Sequence, residues 1–426
     1  MIIIITFIFI IGYGAIALEH PLKINKAATA LLTGVICWSV YALFSADKHH
    51  PVESLTEHLG EIAGVLFFLM GAMTIVELID AHDGFEVITS RITTTNKRKL
   101  VWLIGILAFF LSAILDNLTT TIVLISLLRK IIADKNDRLR FAGLIIIAAN
   151  AGGAWSPIGD VTTTMLWIGG QITATNVILK TIIPSLICFL IPTFIISRQL
   201  KGTIVEKIEI QKNSNFTRSS FERNTVFWLG VATLLFVPIF KTITHLPPYM
   251  GILFGLGIMW VITELIHNKK DEEEKGLLSV NHALHKIDTS SVLFFLGILL
   301  SVGCLQAIGE LSNIADWMNR HIGNITIITL SIGLFSAIVD NVPLVAASQG
   351  MYSLSQYPTD HFFWEFLAYC AGTGGSCLII GSAAGVAAMG IEKIEFMWYV
   401  KNISLLALLG YISGAGAFIL QVNFFP

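Results

Sequence analysis

The sequence predicts an all-α polytopic membrane protein whose two halves are inverted repeats, and three observations predict this class. The 426 residues are 54% hydrophobic and only 13% charged, whereas soluble proteins average about 25% charged residues. Apolar runs of roughly 20 residues recur along most of the chain, and such runs can cross a hydrocarbon core about 30 Å thick. Related motifs also appear in the same order in both halves.

The apolar runs are too long and too many for strands of about 5–6 residues, which excludes a soluble α/β protein. The net charge of −2 gives no indication of a nucleic-acid partner. The first six apolar segments are 2–18, 24–46, 59–80, 100–133, 140–168 and 176–197. The second six are 224–240, 248–267, 290–309, 323–357, 363–390 and 402–424.

Three pairs of motifs indicate an internal duplication. LFFL recurs from the first half in the second, SAILDN recurs as SAIVDN, and the glycines of AGGAWSPIGD match those of TGGSCLIIGS. One match could arise by chance, but three in the same order at a nearly constant offset indicate a repeat. We therefore divide the chain into a first repeat at 1–200, a cytoplasmic linker at 201–223 and a second repeat at 224–426.

The segments 100–133 and 323–357 are too long for one crossing, and polar residues interrupt both. We predict that each is a re-entrant hairpin, with Asp116 and Asn117 at the tip of the first. Each half then has five crossings plus one hairpin. Because five is odd, the second half must be inverted relative to the first, which is typical of secondary transporters.

The distribution of basic residues favours these hairpins. With the N- and C-termini outside, all but four of the 27 lysines and arginines lie in cytoplasmic loops, as the positive-inside rule requires. If both hairpins crossed the membrane, the basic stretch at 129–140 would face outward. The charge bias therefore supports the hairpins.

Three aspartates lie deep in apolar segments, namely Asp116, Asp160 and Asp340. A charged side chain at the bilayer centre costs roughly 2.5–3.5 kcal/mol on insertion scales, so such residues usually have a function. Carboxylate, amide and hydroxyl oxygens together form a hard-oxygen set that suits Na⁺, Li⁺ or H⁺ rather than soft metals. The two hairpins supply such groups, and the candidates are Asp116, Asn117, Thr119, Thr120, Asp340 and Asn341.

The segments 140–168 and 363–390 each predict a helix that is discontinuous at mid-membrane. Glycines and a proline interrupt NAGGAWSPIGDVTTT, and its partner GTGGSCLIIGSAAG is rich in glycine. Backbone groups freed at such breaks can face a cavity. The candidate ligands are Asn150, Asp160, Thr162 and Thr163 in the first segment and Ser376 and Ser382 in the second. Only the first break carries a carboxylate, so the predicted site is asymmetric in charge.

Structural roles remain open for these residues. A serine or threonine can bond back to its own helix, and a glycine-rich face can serve close packing alone. Asp116 and Asp160 could be satisfied by local N–H groups. Asp340 could cap a helix and leave Asn341 as the ligand.

At these motifs the chain resembles the NhaD-type Na⁺/H⁺ antiporters of the ion transporter superfamily. The resemblance covers nearly the whole length and rests on GAMTIVELIDAHDGF, SAILDNLTTT, NAGGAWSPIGDVTTTMLW, SAIVDNVPL and GTGGSCLIIGSAAG. It implies a homodimer, a transport domain that moves like an elevator, and a bacterial inner-membrane location. It also implies that ion transport involves Asp116, Asn117, Asn150, Asp160, Thr162, Thr163, Ser336, Asn341 and Ser376.

We therefore predict a transporter, not an enzyme, that exchanges cytoplasmic Na⁺ for external H⁺, with Li⁺ as a further candidate substrate and no cofactor. The predicted Na⁺ site comprises Asp116, Asn117, Asn150, Asp160 and Asn341. A carboxylate or oxyanion transporter on the same fold is the nearest alternative. No arginine is predicted to lie deep in the membrane. Lys180, the one lysine within a membrane segment, has no evident partner in the sequence. Both observations disfavour anion binding. An intramembrane aspartyl protease is a distant alternative, because Pro157 replaces the first glycine of its GxGD motif.

Overall fold

The computed structural model describes residues 1–17, 19–90, 92, 94–200, 202–204, 219–268, 270–338 and 340–424. Its regular secondary structure is helical, apart from one isolated β-bridge between Asn96 and Thr203 among these residues. The helices are α1 (Ile2–Ala17), α2 (Glu19–Leu22), α3 (Lys26–Phe44), α4 (His49–Ala81), α5 (Glu86–Thr89), α6 (Lys97–Leu115), α7 (Asn117–Ile131), α8 (Lys135–Gly153), α9 (Val161–Ile168), α10 (Ala174–Gln199), α11 (Ser220–Thr244), α12 (Pro248–Ile266), α13 (Glu272–Leu277), α14 (Val280–Lys286), α15 (Thr289–Ala307), α16 (Glu310–His321), α17 (Ile325–Phe335), α18 (Asn341–Met351), α19 (Phe362–Gly374), α20 (Ala383–Glu392), α21 (Phe396–Tyr399) and α22 (Leu405–Phe424). A 3₁₀ turn at Gly375–Cys377 follows α19, and a π-helical turn at Val400–Ser404 joins α21 to α22.

Eight helices in the described part of the chain are long and apolar enough to cross a membrane. They are α3, α4, α6, α10, α11, α12, α15 and the continuous stretch Phe396–Phe424. This confirms the all-α polytopic fold class. The predicted linker at 201–223 lies mostly outside the described residues, which exclude 201 and 205–218.

Helix α4 begins ten residues before the predicted apolar segment 59–80. Its first turns contain HHPVESLTEH, which is too polar to register in a hydropathy pattern but continues the helix beyond the apolar part. Pro51 lies in the first turn, where a missing backbone donor costs little because the first N–H groups have no intrahelical partner. Hydropathy therefore located the apolar part of α4 but not its start.

Helices α6 and α7 form a hairpin whose tip is Asp116. Lys97 at the start of α6 pairs with Asp137 at the start of α8 (2.6 Å), and Ser112 near the end of α6 donates to the Ala149 carbonyl (2.6 Å). Helices α6 and α8 are therefore parallel. Because only residues 132–134 connect α7 to α8, α7 must return to the side on which α6 begins.

The second half repeats these contacts. Ser336 lies 3.4 Å from the Ala371 carbonyl oxygen, as Ser112 lies against Ala149. A Cβ on Gly152 would lie 2.1 Å from the Phe109 carbonyl oxygen, and a Cβ on Gly374 would lie 1.9 Å from that of Gly333. The glycines that match in the sequence therefore occupy matching close contacts between helices. These contacts support a duplication, and the inversion of the second half stays a prediction.

Two hydrophobic clusters organise the packing. The first includes α1, α3, α4, α11, α12 and α15 and extends to α9 and α18. The second includes α6, α7 and α8 with parts of α10, α19, α20 and α22. Helices α3 and α15 approach closely, because a Cβ on Gly297 would lie 2.4 Å from the Leu31 nitrogen. Small residues at such crossings favour close helix packing in membranes.

Candidate functional site

Asp160 lies at the break between α8 and α9 and begins α9 as its N-cap. Its backbone is extended (φ −146°, ψ 145°), and its carboxylate accepts a hydrogen bond from the Thr162 N–H. A Cβ on the preceding Gly159 would lie 2.8 Å from the Ser112 carbonyl oxygen. The break is therefore pressed against the end of α6, and this contact brings Asp160 next to the hairpin tip.

The Asp160 carboxylate accepts hydrogen bonds from three different segments of the chain. The Thr162 N–H and hydroxyl donate to Oδ1, both at 2.9 Å. The Asn117 amide donates to Oδ2 at 2.7 Å, and the Asn341 amide nitrogen lies 3.4 Å from both oxygens. Since Asp160 is only 2% exposed, these polar groups replace the water that would otherwise solvate the carboxylate.

Asn150 extends this network into the second half. Its Oδ1 accepts from the Asn117 amide at 3.0 Å, and its own amide donates to the Ser382 hydroxyl at 2.9 Å. Ser382 caps α20 at the position that matches Asp160 at the start of α9. The two hairpin tips and the two helix breaks therefore meet in one buried network.

Asp116 forms the tip of the first hairpin with a positive φ of 97°. This conformation is uncommon for a residue other than glycine and costs free energy. Two hydrogen bonds from Thr119 stabilise it: the N–H donates to Oδ1 at 2.7 Å and the hydroxyl donates to Oδ2 at 3.1 Å. Asp116 thus caps α7 while remaining partly accessible.

Asp340 has the corresponding place in the second hairpin and caps α18. Its Oδ1 accepts from the Val342 N–H at 3.2 Å, and its Oδ2 lies 3.5 Å from the Lys26 ammonium. The next residue, Asn341, points to Asp160. This geometry fits the alternative in which Asp340 is a cap and Asn341 the ligand, and it adds an ion pair that the sequence did not indicate.

One cavity is lined by all three aspartates. Its polar lining consists of Lys26, Asp116, Asn117, Thr119, Asp160, Thr164, Ser291, Asp340 and Asn341. A second cavity lies beyond α9 and α18 and is lined by Met165, Gly169, Ala346 and Gln349, among others. Helices α9 and α18 therefore separate the two cavities, and their N-terminal ends face the first.

Three of the predicted hydroxyls are donated to backbone carbonyls and not to the Asp160 carboxylate. Thr163 donates to the Asp160 carbonyl, Ser336 to the Gly333 carbonyl and Ser376 to the Thr373 carbonyl. The Thr120 hydroxyl is buried without a hydrogen-bond partner within the described residues. In this conformation the hydroxyls of Thr163 and Ser376 stabilise the backbone of the breaks, and that of Ser336 stabilises the backbone of the second hairpin.

No pattern in the sequence singles out Lys26, because a lysine at the start of an apolar segment looks like an ordinary loop residue. Ser112 was visible in the repeated SAILDN motif, yet its contact with Ala149 required the hairpin geometry. The expectation that Lys180 has no partner is corrected, because it interacts electrostatically with Glu365, a buried residue of α19. That partner is 185 positions away in the chain, so sequence spacing could not reveal it.

Chemically, the network offers oxygen ligands around one carboxylate. The asparagine amides turn their N–H groups towards Asp160 in this structure, and rotation of an amide would present its carbonyl oxygen instead, since each amide carries both donors and an acceptor. Carboxylate and carbonyl oxygens suit small hard cations. Among the described residues no group of three histidine, cysteine or acidic side chains has metal-ligand geometry.

Comparison with known proteins gives consistent matches. The family model described as "Citrate transporter" (CitMHS) matches residues 4–365. Sodium/proton antiporter 2 of Arabidopsis thaliana is 45% identical over 98% of this chain and 99% of its own length. Sodium/proton antiporter 1 of the same plant is 47% identical over 98% of this chain and 72% of its own. The Na⁺/H⁺ antiporter NhaD of Alkalimonas amylolytica is 30% identical over 92% of this chain and 84% of its own.

Proposed function

Because the chain belongs to the NhaD-type Na⁺/H⁺ antiporters, within the citrate transporter family, we propose that it exchanges cytoplasmic Na⁺ for external H⁺ at Asp160. One observation carries the proposal: a buried carboxylate meets amide groups from both hairpin tips. Asp116 lines the same cavity and is the second carboxylate of the exchange site. Li⁺ is a further substrate, since it has the same charge and ligand preference.

Exchange follows from competition for one buried carboxylate. Burial disfavours the charged form of a carboxylate, and either a proton or a nearby cation removes that penalty. Asp160 can therefore hold H⁺ or Na⁺ but not both at full strength. If the protein changes its accessible side only when Asp160 carries one of them, each ion drives the other in the opposite direction.

The asparagine amides can stabilise the Asp160 site both without and with bound Na⁺. With the N–H groups of Asn117 and Asn341 directed at Asp160, its negative charge is stabilised by donors. When Na⁺ binds, each amide rotates and offers its carbonyl oxygen to the ion. Since the amides come from opposite hairpins, ion binding changes contacts in both halves together.

Alternating access then exposes this site to one cavity at a time. The position of α9 and α18 between two cavities supports this step. We propose that an elevator-type movement of the hairpins and discontinuous helices, related as inverted repeats, carries the site past a static domain. We further propose a homodimer in the inner membrane of a bacterium, with both termini outside and the first cavity open to the cytoplasm.

The test is Na⁺-driven proton flux in proteoliposomes that contain the full chain. Asp160→Asn and Asp116→Asn should each abolish the exchange, because an amide cannot take up the competing proton. Glu272→Gln removes an exposed acidic residue of the α13 region and should leave the flux unchanged. If both aspartate variants exchange at the wild-type rate, the proposal is wrong.

An ion-coupled carboxylate or oxyanion transporter is the second candidate, since the matching family model is described by citrate transport. The Lys26 ammonium in the cavity is the observation that favours it. However, the cavity also holds three carboxylates, and Lys26 is already paired with Asp340. Sodium-dependent uptake of labelled citrate or succinate by the same proteoliposomes would favour this candidate over exchange.

A further inference from the structure

Lys26 contributes a positive charge to the lining of the first cavity. It begins α3, and the adjacent Asn25 anchors this end by donating from its amide to the Ser290 hydroxyl next to the start of α15 (3.0 Å). The Lys26 ammonium lies 4.5 Å from the centroid of the Phe294 ring of α15. Such a cation–π contact favours an ammonium that has lost part of its water. Lys26 is therefore held on the body formed by α3 and α15.

The partner of Lys26 belongs to a different part of the structure. Asp340 ends the loop of the second hairpin and precedes Asn341, whose amide points to Asp160. The ammonium-to-carboxylate distance is 3.5 Å, and the two side chains are only 22% and 16% exposed. Salt screens such a partly buried pair less than a surface pair. The pair thus connects α3 to the tip that contributes to the ion site.

The first hairpin is arranged differently. Asp116 is stabilised by the N–H and hydroxyl of Thr119 within its own tip. Asp340 receives one backbone hydrogen bond from its own helix, and its second oxygen faces Lys26. The two carboxylates therefore differ in what balances their negative charge. For Asp116 it is the hydrogen-bond donors of its own tip, and for Asp340 it is a full positive charge from another helix.

We propose that Lys26 is a positioning residue that competes with Na⁺ for the negative charge of the cavity and thereby sets the apparent Na⁺ affinity. This proposal rests on the proposed function. A cation that approaches Asp160 meets the Lys26 charge in the same cavity, and like charges in a confined site repel each other. Na⁺ entry therefore weakens the Lys26–Asp340 pair, and release of that pair frees the second hairpin tip from α3.

The test compares variants by Na⁺-driven proton flux in proteoliposomes and by binding of radioactive Na⁺ to the purified full chain. Lys26→Gln should lower both the KM and the dissociation constant for Na⁺ by about fivefold or more, the lower range of coupling between linked events. Lys26→Arg keeps the charge and should remain near wild type. Lys23→Gln is the matched control, because Lys23 is exposed and three positions away.

Asp340→Asn provides the second arm. If Lys26 acts through Asp340, adding Lys26→Gln to Asp340→Asn should change Na⁺ binding much less than it does in the wild-type background. An unchanged or weaker Na⁺ affinity in Lys26→Gln, with Lys26→Arg folded and active, would overturn the inference while wild-type exchange still upheld the proposed function. Absence of exchange in the wild type would reject the proposed function, and the binding measurement would still decide the role of Lys26.

Discussion

The two helix breaks have nearly the same backbone but different chemistry. Asp160 and Ser382 both cap the helix that follows the break, with φ of −146° in each and ψ of 145° and 154°. Each break is held by a glycine against the neighbouring hairpin, Gly159 in one and Gly381 in the other. The backbone of the break is therefore a structural feature shared by both halves, while the buried charge occurs in one.

The specificity of the site therefore lies in the side chains at the breaks and not in their backbone. The shared geometry brings four interrupted segments together, and of the two breaks only the first adds a carboxylate, that of Asp160. A second carboxylate at Ser382 would be linked to Asp160 through Asn150 and Asn117. Two anions in one buried network would repel each other. A neutral hydroxyl at that position instead satisfies the Asn150 amide at no electrostatic cost.

The largest expected effect comes from moving the carboxylate to the other break. The double variant Asp160→Ser/Ser382→Asp keeps the total charge. The donors Asn117, Asn341 and Thr162, however, still surround position 160 and no longer reach the carboxylate. Hydrogen bonds to a charged group contribute about 1.5–3 kcal/mol each, so losing two of them should reduce Na⁺/H⁺ exchange by at least about a hundredfold. Proton flux in proteoliposomes measures this.

Ser382→Ala serves as the control for that double variant. It removes two neutral hydrogen bonds, which the Ser382 hydroxyl accepts from the Asn150 amide and from the Gly385 N–H, and should reduce the flux by no more than about tenfold. If the double variant exchanges ions as well as the wild type, the two breaks are chemically interchangeable and the comparison fails.

A smaller effect distinguishes the two hairpin tips. The Asn117 amide lies 2.7 Å from the nearest Asp160 oxygen, whereas the Asn341 amide lies 3.4 Å from both. Because hydrogen bonds weaken with distance, Asn117→Ala should raise the KM for Na⁺ by about tenfold and Asn341→Ala by about threefold. Initial exchange rates at varied Na⁺ concentration give both values. Equal effects, or a larger one for Asn341→Ala, would show that the tips do not differ as the distances indicate.

Much of this architecture was predictable because hydropathy reports directly on length and burial. All twelve predicted apolar segments contain a helix or a pair of helices. The breaks were also visible, since glycine and proline in an apolar run interrupt a helix for a local reason. Asp116, Asn117, Asn150, Asp160 and Asn341 were selected because polar residues are costly in such runs.

The contacts among these residues were less predictable. Sequence shows that Ser336 and Ser376 are unusual but not whether their hydroxyls face an ion or a backbone carbonyl, because that depends on rotamers set by packing. Lys26 forms an ion pair with Asp340, and Glu365 interacts electrostatically with Lys180, so that each has a partner far along the chain. Such pairs arise from the arrangement of helices, and no local pattern encodes them.

The smallest expected difference between the halves concerns the glycines that hold each hairpin. Gly152 and Gly374 both face a backbone carbonyl that a Cβ would meet at 2.1 Å and 1.9 Å. Because a backbone cannot move aside as a flexible side chain can, Gly152→Ala and Gly374→Ala should each destabilise the protein by about 1–3 kcal/mol, the usual range for overpacking. Thermal unfolding in detergent measures the effect, and Gly257→Ala, where a Cβ meets nothing within 4 Å, is the control. The unfolding temperatures of Gly152→Ala and Gly374→Ala should be closer to each other than either is to that of Gly257→Ala. A loss in only one of them would mean that the shared backbone geometry supports one half alone, and the contrast between Asp160 and Ser382 would then reflect a difference in structure as well as in charge.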